Sequence, residues 1–193
     1  MAWGLIHEIG RKIIHIMILF VLAAYFLIQK YHTKQVALLF LTLLLIIFLI
    51  LEYFRLELNW KLPFFSHFIR PKEQNRMYGV IFFLSATIVS FAVFDQKIAI
   101  TALLMTTFGD MIAALVGKKY GTTLIYRNKT WAGFIAELAV NIIVGFIFLE
   151  SIYVILGMAF TATIVETLVD ELDDNLLIPI FSGFVGQVIL ISL

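Results

Sequence analysis

Three carboxylic acids in this chain stand where acids are costly: Asp110, Glu137 and Glu166 each lie inside a long apolar run. An ionised side chain near mid-bilayer costs about 2.5–3.5 kcal/mol on insertion scales, so each is a functional candidate by default. Around the first, the chain reads Gly109-Asp110-Met111-Ile112-Ala113, with Gly117, Lys118, Lys119 and Gly121 following. Ala113, Gly117 and Gly121 recur every four residues and leave one helix face bare of bulk. Such a face lets helices pack closely in membranes. With an acid one turn earlier and two lysines at its rim, it also lets a bound group approach the backbone.

A second cluster, Lys129-Thr130-Trp131-Ala132-Gly133, opens the run that carries Glu137, Asn141 and Gly145 on one stripe. Thr130 is placed to cap a helix whose positive end attracts an anion, and Lys129 reinforces that pull. This resembles a phosphate site without a P-loop, because neither GxxxxGK[ST] nor GxGxxG occurs. The plainer alternative is a capped helix start with an interfacial lysine. A third cluster packs five acids into nine residues: Glu166, Asp170, Glu171, Asp173 and Asp174, with Asn175 following. If the helix carrying Glu166 extends, Asp170 and Asp173 or Asp174 share its face. Acids so crowded repel one another unless cations intervene, and an oxygen-rich set suits Mg2+, which takes one or two carboxylates and the phosphates of a nucleotide. Near the N-terminus Glu8, Arg11, Lys12 and His15 share a helical face, and Glu52 and Arg55 follow the second apolar run. Both groups also fit simple membrane anchoring.

The elements that must position these residues are membrane helices. Of 193 residues, 62% are hydrophobic and 14% charged, and the mean hydropathy is +1.02. A soluble fold of this size could not bury that much apolar surface. The chain contains no Cys and carries a net charge of +1, which argues against a disulfide scaffold and a nucleic-acid binder. Apolar runs of helix-spanning length occur at Ile13–Ile28, Val36–Leu51, Met77–Phe94, Ile98–Val116, Thr130–Leu149, Ile152–Val169 and Leu176–Leu193. Barrel strands would be half as long and would alternate in polarity. The expected architecture is therefore an all-α, polytopic helix bundle of about seven transmembrane helices, forming a single integral-membrane domain over residues 1–193. No cleavable signal peptide is expected, since no small-residue cleavage site follows the first run. With seven spans, one face holds 11 Lys and Arg residues and the other holds 3, namely Lys30, Lys34 and Lys97. That asymmetry predicts a cytoplasmic N-terminus, with nearly all the polar chemistry on the cytoplasmic side.

In order along the chain, these motifs resemble the CTP-dependent lipid-alcohol kinase family, which includes phytol kinase, dolichol or polyprenol kinase and the yeast-type diacylglycerol kinase. The matching features are Glu8-x-x-Arg11-Lys12-x-x-His15, Glu52-x-x-Arg55 and Gly109-Asp110-x-x-Ala113-x-x-x-Gly117-x-x-x-Gly121. Lys129-Thr130-Trp131-Ala132-Gly133 follows, then Glu166 and Asp173-Asp174-Asn175-Leu176-x-x-Pro179. Glu137 departs from the family pattern and has no role from it. The resemblance implies transfer of the γ-phosphoryl group of CTP to the hydroxyl of a membrane isoprenoid alcohol, with Mg2+ as cofactor. It implies Asp110 as a metal ligand or as the base toward the alcohol, with Glu166, Asp170 and Asp174 in the metal–nucleotide cluster. Arg11, Lys12, His15, Lys118, Lys129 and Thr130 fall on the nucleotide and phosphates, as do Asp173 and Asn175. Gly117, Gly121 and Gly133 allow close approach, and Glu8, Glu52 and Arg55 support the site from behind. The nucleotide would arrive from the cytoplasm and the acceptor from the bilayer; in a prokaryote that bilayer is the cell membrane. Acids and bases alone do not separate this chemistry from a CDP-lipid-forming cytidylyltransferase, which attacks the α-phosphorus. A transporter with intramembrane carboxylates would show an inverted repeat and broken helices, and neither is evident.

Overall fold

The computed structural model describes residues 19–58, 77–169 and 172–193. Glu8, Arg11, Lys12, His15 and Asp170 lie outside the described residues. The described chain forms helices α1 (Leu19–Tyr31), α2 (Lys34–Glu57), α3 (Gly79–Val93) and α4 (Gln96–Tyr120). A short hairpin, β1 (Leu124–Tyr126) and β2 (Lys129–Thr130), then leads into α5 (Trp131–Phe148), α6 (Ile152–Leu168) and α7 (Asp174–Ser192). The all-α architecture is borne out, and each expected apolar run lies largely in a helix among the described residues, the start of the first run at Ile13 falling outside them.

Helices α2, α4, α5 and α7 are long and apolar enough to cross a membrane, whereas α1, α3 and α6 are shorter apolar helices. At 1.5 Å per residue, the 15 residues of α3 rise about 22 Å, less than the roughly 30 Å hydrocarbon core. The chain is an integral membrane protein; helix length by itself supports four of the seven expected crossings. Large apolar side chains face outward along these helices, among them Phe146, Ile147, Phe184 and Ile191. In a bilayer that exposure faces lipid rather than water.

Starts are set by side chains that take up orphan backbone donors. Val36 N–H donates to Thr33 Oγ1 at the start of α2 (3.3 Å), and Lys97 N–H to Asp95 at the start of α4 (2.9 Å). Within the helices, the hydroxyls of Thr101, Thr106, Thr107, Thr163, Thr167 and Ser182 each donate to the carbonyl four residues back. That arrangement removes a buried polar group from competition with lipid.

The chain divides into two compact units, residues 1–88 and 89–193. In the first, α1, α2 and the start of α3 bury Tyr25, Leu41, Phe83 and Leu84. In the second, α4 packs on α5, α5 on α6, α6 on α7 and α7 back on α4. Short connections make these four helices run alternately up and down. Lys97 at the start of α4 pairs with Glu150 after α5 (2.8 Å), and Asp95 N–H donates to Gln187 late in α7 (2.7 Å). Those contacts close one end of the four-helix unit. The chemistry gathers at the other.

Two local expectations need correction. The stretch between the apolar runs Ile98–Val116 and Thr130–Leu149 is partly helix and partly strand: α4 runs on to Tyr120, and the hairpin pairs Leu124 with Thr130 and Tyr126 with Lys129. Helix α6 stops at Leu168, so Asp173 and Asp174 do not continue the face of Glu166. They begin α7 instead, where acids complement the positive helix end.

Candidate functional site

The hairpin aims Lys129. A two-residue turn, Arg127-Asn128, reverses the chain, and Arg127 adopts the left-handed region at φ 47°. Trp131 N–H donates to Thr123 O (3.1 Å), which ties the first turn of α5 to the strand before it. Gly133 N–H donates to Thr130 Oγ1 (3.2 Å), the cap expected from the sequence. Held this way, the Lys129 ammonium forms an ion pair with Glu166 near the end of α6, whose side chain is almost fully buried.

Four elements distant in sequence contribute to the charge around that pair. Lys129 is acted on by Asp110 of α4 and Asp174 of α7 as well as by Glu166. Burial alone would push its ammonium down; the negative charge of Glu166, its hydrogen bond, and the charges of Asp110 and Asp174 overcome that and hold it above the usual lysine value. Glu137 of α5, 1% exposed, interacts with Glu166, Asp110 and Lys129. Asp110, Lys129, Glu166 and Asp174 thus come together at one end of the second unit, with Glu137 directly behind them.

The glycines explain how the backbones draw near. A Cβ on Gly133 would stand 2.9 Å from the Ala113 carbonyl oxygen, and one on Gly117 would stand 3.0 Å from Thr130 Oγ1. Gly121 caps α4 with its N–H donating to Gly117 O (2.9 Å) and leaves no room for a side chain against Thr130. The small-residue stripe of α4 therefore packs on the start of α5, and that packing places Thr130 and Lys129 beside the α4 stripe.

The remaining expected residues divide. Asp173 caps α7: it accepts from Asn175 N–H (3.0 Å) and from Asn175 Nδ2 (2.8 Å), so both residues serve helix initiation. Lys118 is exposed on the last turn of α4. Glu52 and Arg55 belong to the first unit, where they form a two-pronged pair (2.6 and 2.8 Å). Glu52 also accepts from Tyr78 N–H (3.0 Å), and the guanidinium lies 4.1 Å from the centre of the Tyr78 ring.

Among the described residues, no three acidic or imidazole side chains converge closely enough to hold a cation alone. The donors that do gather are carboxylates, the oxygen chemistry that suits Mg2+ when phosphates and water complete its shell. The hairpin was missed in the sequence although its signal was present. Thr122-Thr123-Leu124-Ile125-Tyr126 is rich in β-formers and is followed at once by Asn128 in a turn position.

A membrane helix bundle with an ion-paired lysine set among carboxylates at one end is a scaffold for binding a polyanion beside lipid. The chain is 34% identical over 152 residues to CTP-dependent diacylglycerol kinase 1 of Saccharomyces cerevisiae, covering 74% of this chain and 50% of that protein. It is 27% identical over 155 residues to the same-named protein of Schizosaccharomyces pombe, covering 66% of this chain and 70% of that protein. To Phytol kinase 1, chloroplastic, of Arabidopsis thaliana it is 30% identical over 130 residues, covering 56% and 42%. These relatives are named as CTP-dependent diacylglycerol kinases and a phytol kinase, and the family resemblance carried by the motifs is borne out. The chain spans about half the length of the first curated relatives it matches, 50% and 44%. No family model matches, and no solved structure matches.

Proposed function

We propose that this chain is a CTP-dependent lipid kinase that moves the γ-phosphoryl group of CTP onto the hydroxyl of a membrane lipid alcohol. The bond from the γ-phosphorus to the β,γ-bridging oxygen breaks, a bond from the alcohol oxygen forms, CDP leaves and the hydroxyl proton is released. The observation that carries this reading is the gathering of Asp110, Lys129, Glu166 and Asp174 from four elements at one end of a membrane bundle, together with relatives named as CTP-dependent kinases. Phosphoryl transfer asks a protein for alignment and charge neutralisation more than for covalent chemistry.

In this reading Lys129 leaves Glu166 to contact phosphate oxygens, and the α5 N-terminus adds the pull of its backbone dipoles. Asp110 holds the metal or accepts the alcohol proton; Glu166 and Asp174 hold the metal. Mg2+ would neutralise and orient the phosphates. Gly117 and Gly133 let the nucleotide approach the backbone. Lys118 lies at the rim; the family resemblance also implies phosphate roles for Arg11, Lys12 and His15, which lie outside the described residues. The charged end faces the cytoplasm, from which a water-soluble nucleotide must come. The acceptor is an isoprenoid alcohol of the phytol or polyprenol type or a diacylglycerol; the relatives with the higher identities carry the second in their names.

Purified protein incubated with lipid alcohols and CTP labelled at the α- or the γ-phosphorus tests this directly. The expected result is γ-label in the lipid and CDP in solution, lost in Asp110→Asn and Lys129→Ala. Label from the α-position with release of pyrophosphate would make the chain a cytidylyltransferase instead. Run over diacylglycerol, phytol and polyprenol, the same assay assigns the acceptor.

A further inference from the structure

Glu137 and Asn141 are left over by the phosphate chemistry, and their surroundings are unusual. They sit one turn apart on the buried face of α5, 1% and 0% exposed. One oxygen of each, Glu137 Oε2 and Asn141 Oδ1, has no hydrogen-bond partner among the described residues. The rest of the stripe is satisfied: Asn141 Nδ2 donates to Thr163 Oγ1 (3.1 Å), and Thr163 donates to Ala159 O (3.0 Å). Across from them α4 presents Gly109, where a Cβ would stand 2.7 Å from Asn141 Oδ1 and 3.2 Å from Glu137 Cγ. A buried oxygen without a donor costs about 1–3 kcal/mol, and two adjacent ones call for a ligand that donates.

Depth selects the donor. Asn141 lies ten residues beyond the start of α5 at Trp131, about 15 Å along the helix, well inside the hydrocarbon. A molecule dissolved in the bilayer can bring a hydroxyl to that level. Glu137, one turn nearer the charged end, interacts with Asp110, Lys129 and Glu166, so a hydroxyl bound to it lies next to the transfer site. We infer that Glu137 Oε2 and Asn141 Oδ1 form the receiving site for the hydroxyl of the acceptor lipid alcohol, with Glu137 as the positioning residue. The assignment rests on the lipid-kinase reading for the identity of the donor. It accounts for a carboxylate that the family motifs do not explain.

The test reads binding without turnover. Thermal unfolding of the purified full chain in detergent is followed with dioctanoylglycerol or geranylgeraniol and no nucleotide, and with the acetylated, hydroxyl-free form of each. The wild type is expected to be stabilised by the free alcohols and much less by the acetylated ones. Glu137→Leu and Asn141→Leu should each weaken the apparent affinity about tenfold, the worth of one buried hydrogen bond. Glu137→Gln, which keeps an oxygen there, should retain most of the response. Equal responses to free and acetylated alcohols, or wild-type responses in both leucine variants, would overturn the site. If the Glu137-dependent response is present but no phosphoryl group is transferred, the kinase reading fails and the site stands.

Discussion

Replacing Lys129 by methionine removes the cation from a cluster of carboxylates while keeping the length of the side chain. Glu166, 4% exposed on its side chain, then has no ammonium beside it, and Asp110 and Asp174 remain nearby. Deleting one partner of a buried ion pair costs about 3–5 kcal/mol. The Lys129 side chain is 36% exposed, so water screens part of the interaction and about 2–3 kcal/mol is the better expectation. For a chain of this size that corresponds to a midpoint lowered by about 5–10 °C. Glu166→Gln should cost less, because Asp110 and Asp174 still face the ammonium. The double variant should recover at least about 1 kcal/mol over the sum of the singles, since it removes the buried charge of Glu166 together with its partner. All three proteins should lose γ-label transfer, so the double variant separates stability from chemistry: restored in folding, silent in the assay. Additivity within about 0.5 kcal/mol would refute the coupling on which the site is built.

The raised Lys129 value has a defined pH signature. A lysine held above its unfolded value of 10.5 gives stability that is fully present below pH 10.5 and lost as the pH rises through the folded value; melting curves above pH 10.5 should fall faster for the wild type than for Lys129→Met. Gly109→Ala puts a methyl group 2.7 Å from Asn141 Oδ1, and the overpacking should cost about 1–3 kcal/mol in thermal unfolding; an unchanged midpoint would show that α4 and α5 do not approach there. Arg127 at φ 47° should welcome glycine, and Arg127→Gly is expected to raise stability by about 1 kcal/mol in the same measurement. Chelation of divalent cations should abolish label transfer and weaken CTP binding by at least about tenfold in calorimetry; equally tight binding in chelator would remove the metal from the proposed site.

What the sequence made legible follows from which forces are local. Helix positions were readable because a long apolar run in a bilayer has one way to satisfy its backbone, and a cap such as Thr130 marks where it begins. The four-residue spacing of Ala113, Gly117 and Gly121 announced a close contact, and α5 proved to be the partner. Which carboxylates meet Lys129 was not readable from spacing. Glu166 lies 37 residues from Lys129, and Asp174 acts on the lysine from the start of a second helix, α7. Reading the acidic run as one continued helix face failed because α6 ends at Leu168 and Asp173 caps a new helix, α7.

The same packing explains why a carboxylate as buried as Glu137 can be tolerated. Close approach of α4 at Gly109 and Gly133 excludes lipid from the face that carries it, and Lys129, Asp110 and Glu166 surround it with polar groups. Filling Gly109 with a side chain would force α4 away and let hydrocarbon reach Glu137, so the small residues protect the polar core as much as they pack it. On the proposed reading, a lipid alcohol that parts these helices would lead with its hydroxyl, whose single proton can be given to either unpartnered oxygen, that of Glu137 or that of Asn141. Its apolar chain would stay in contact with the bilayer, and its oxygen would come to rest one helical turn from the residues proposed to hold the phosphates.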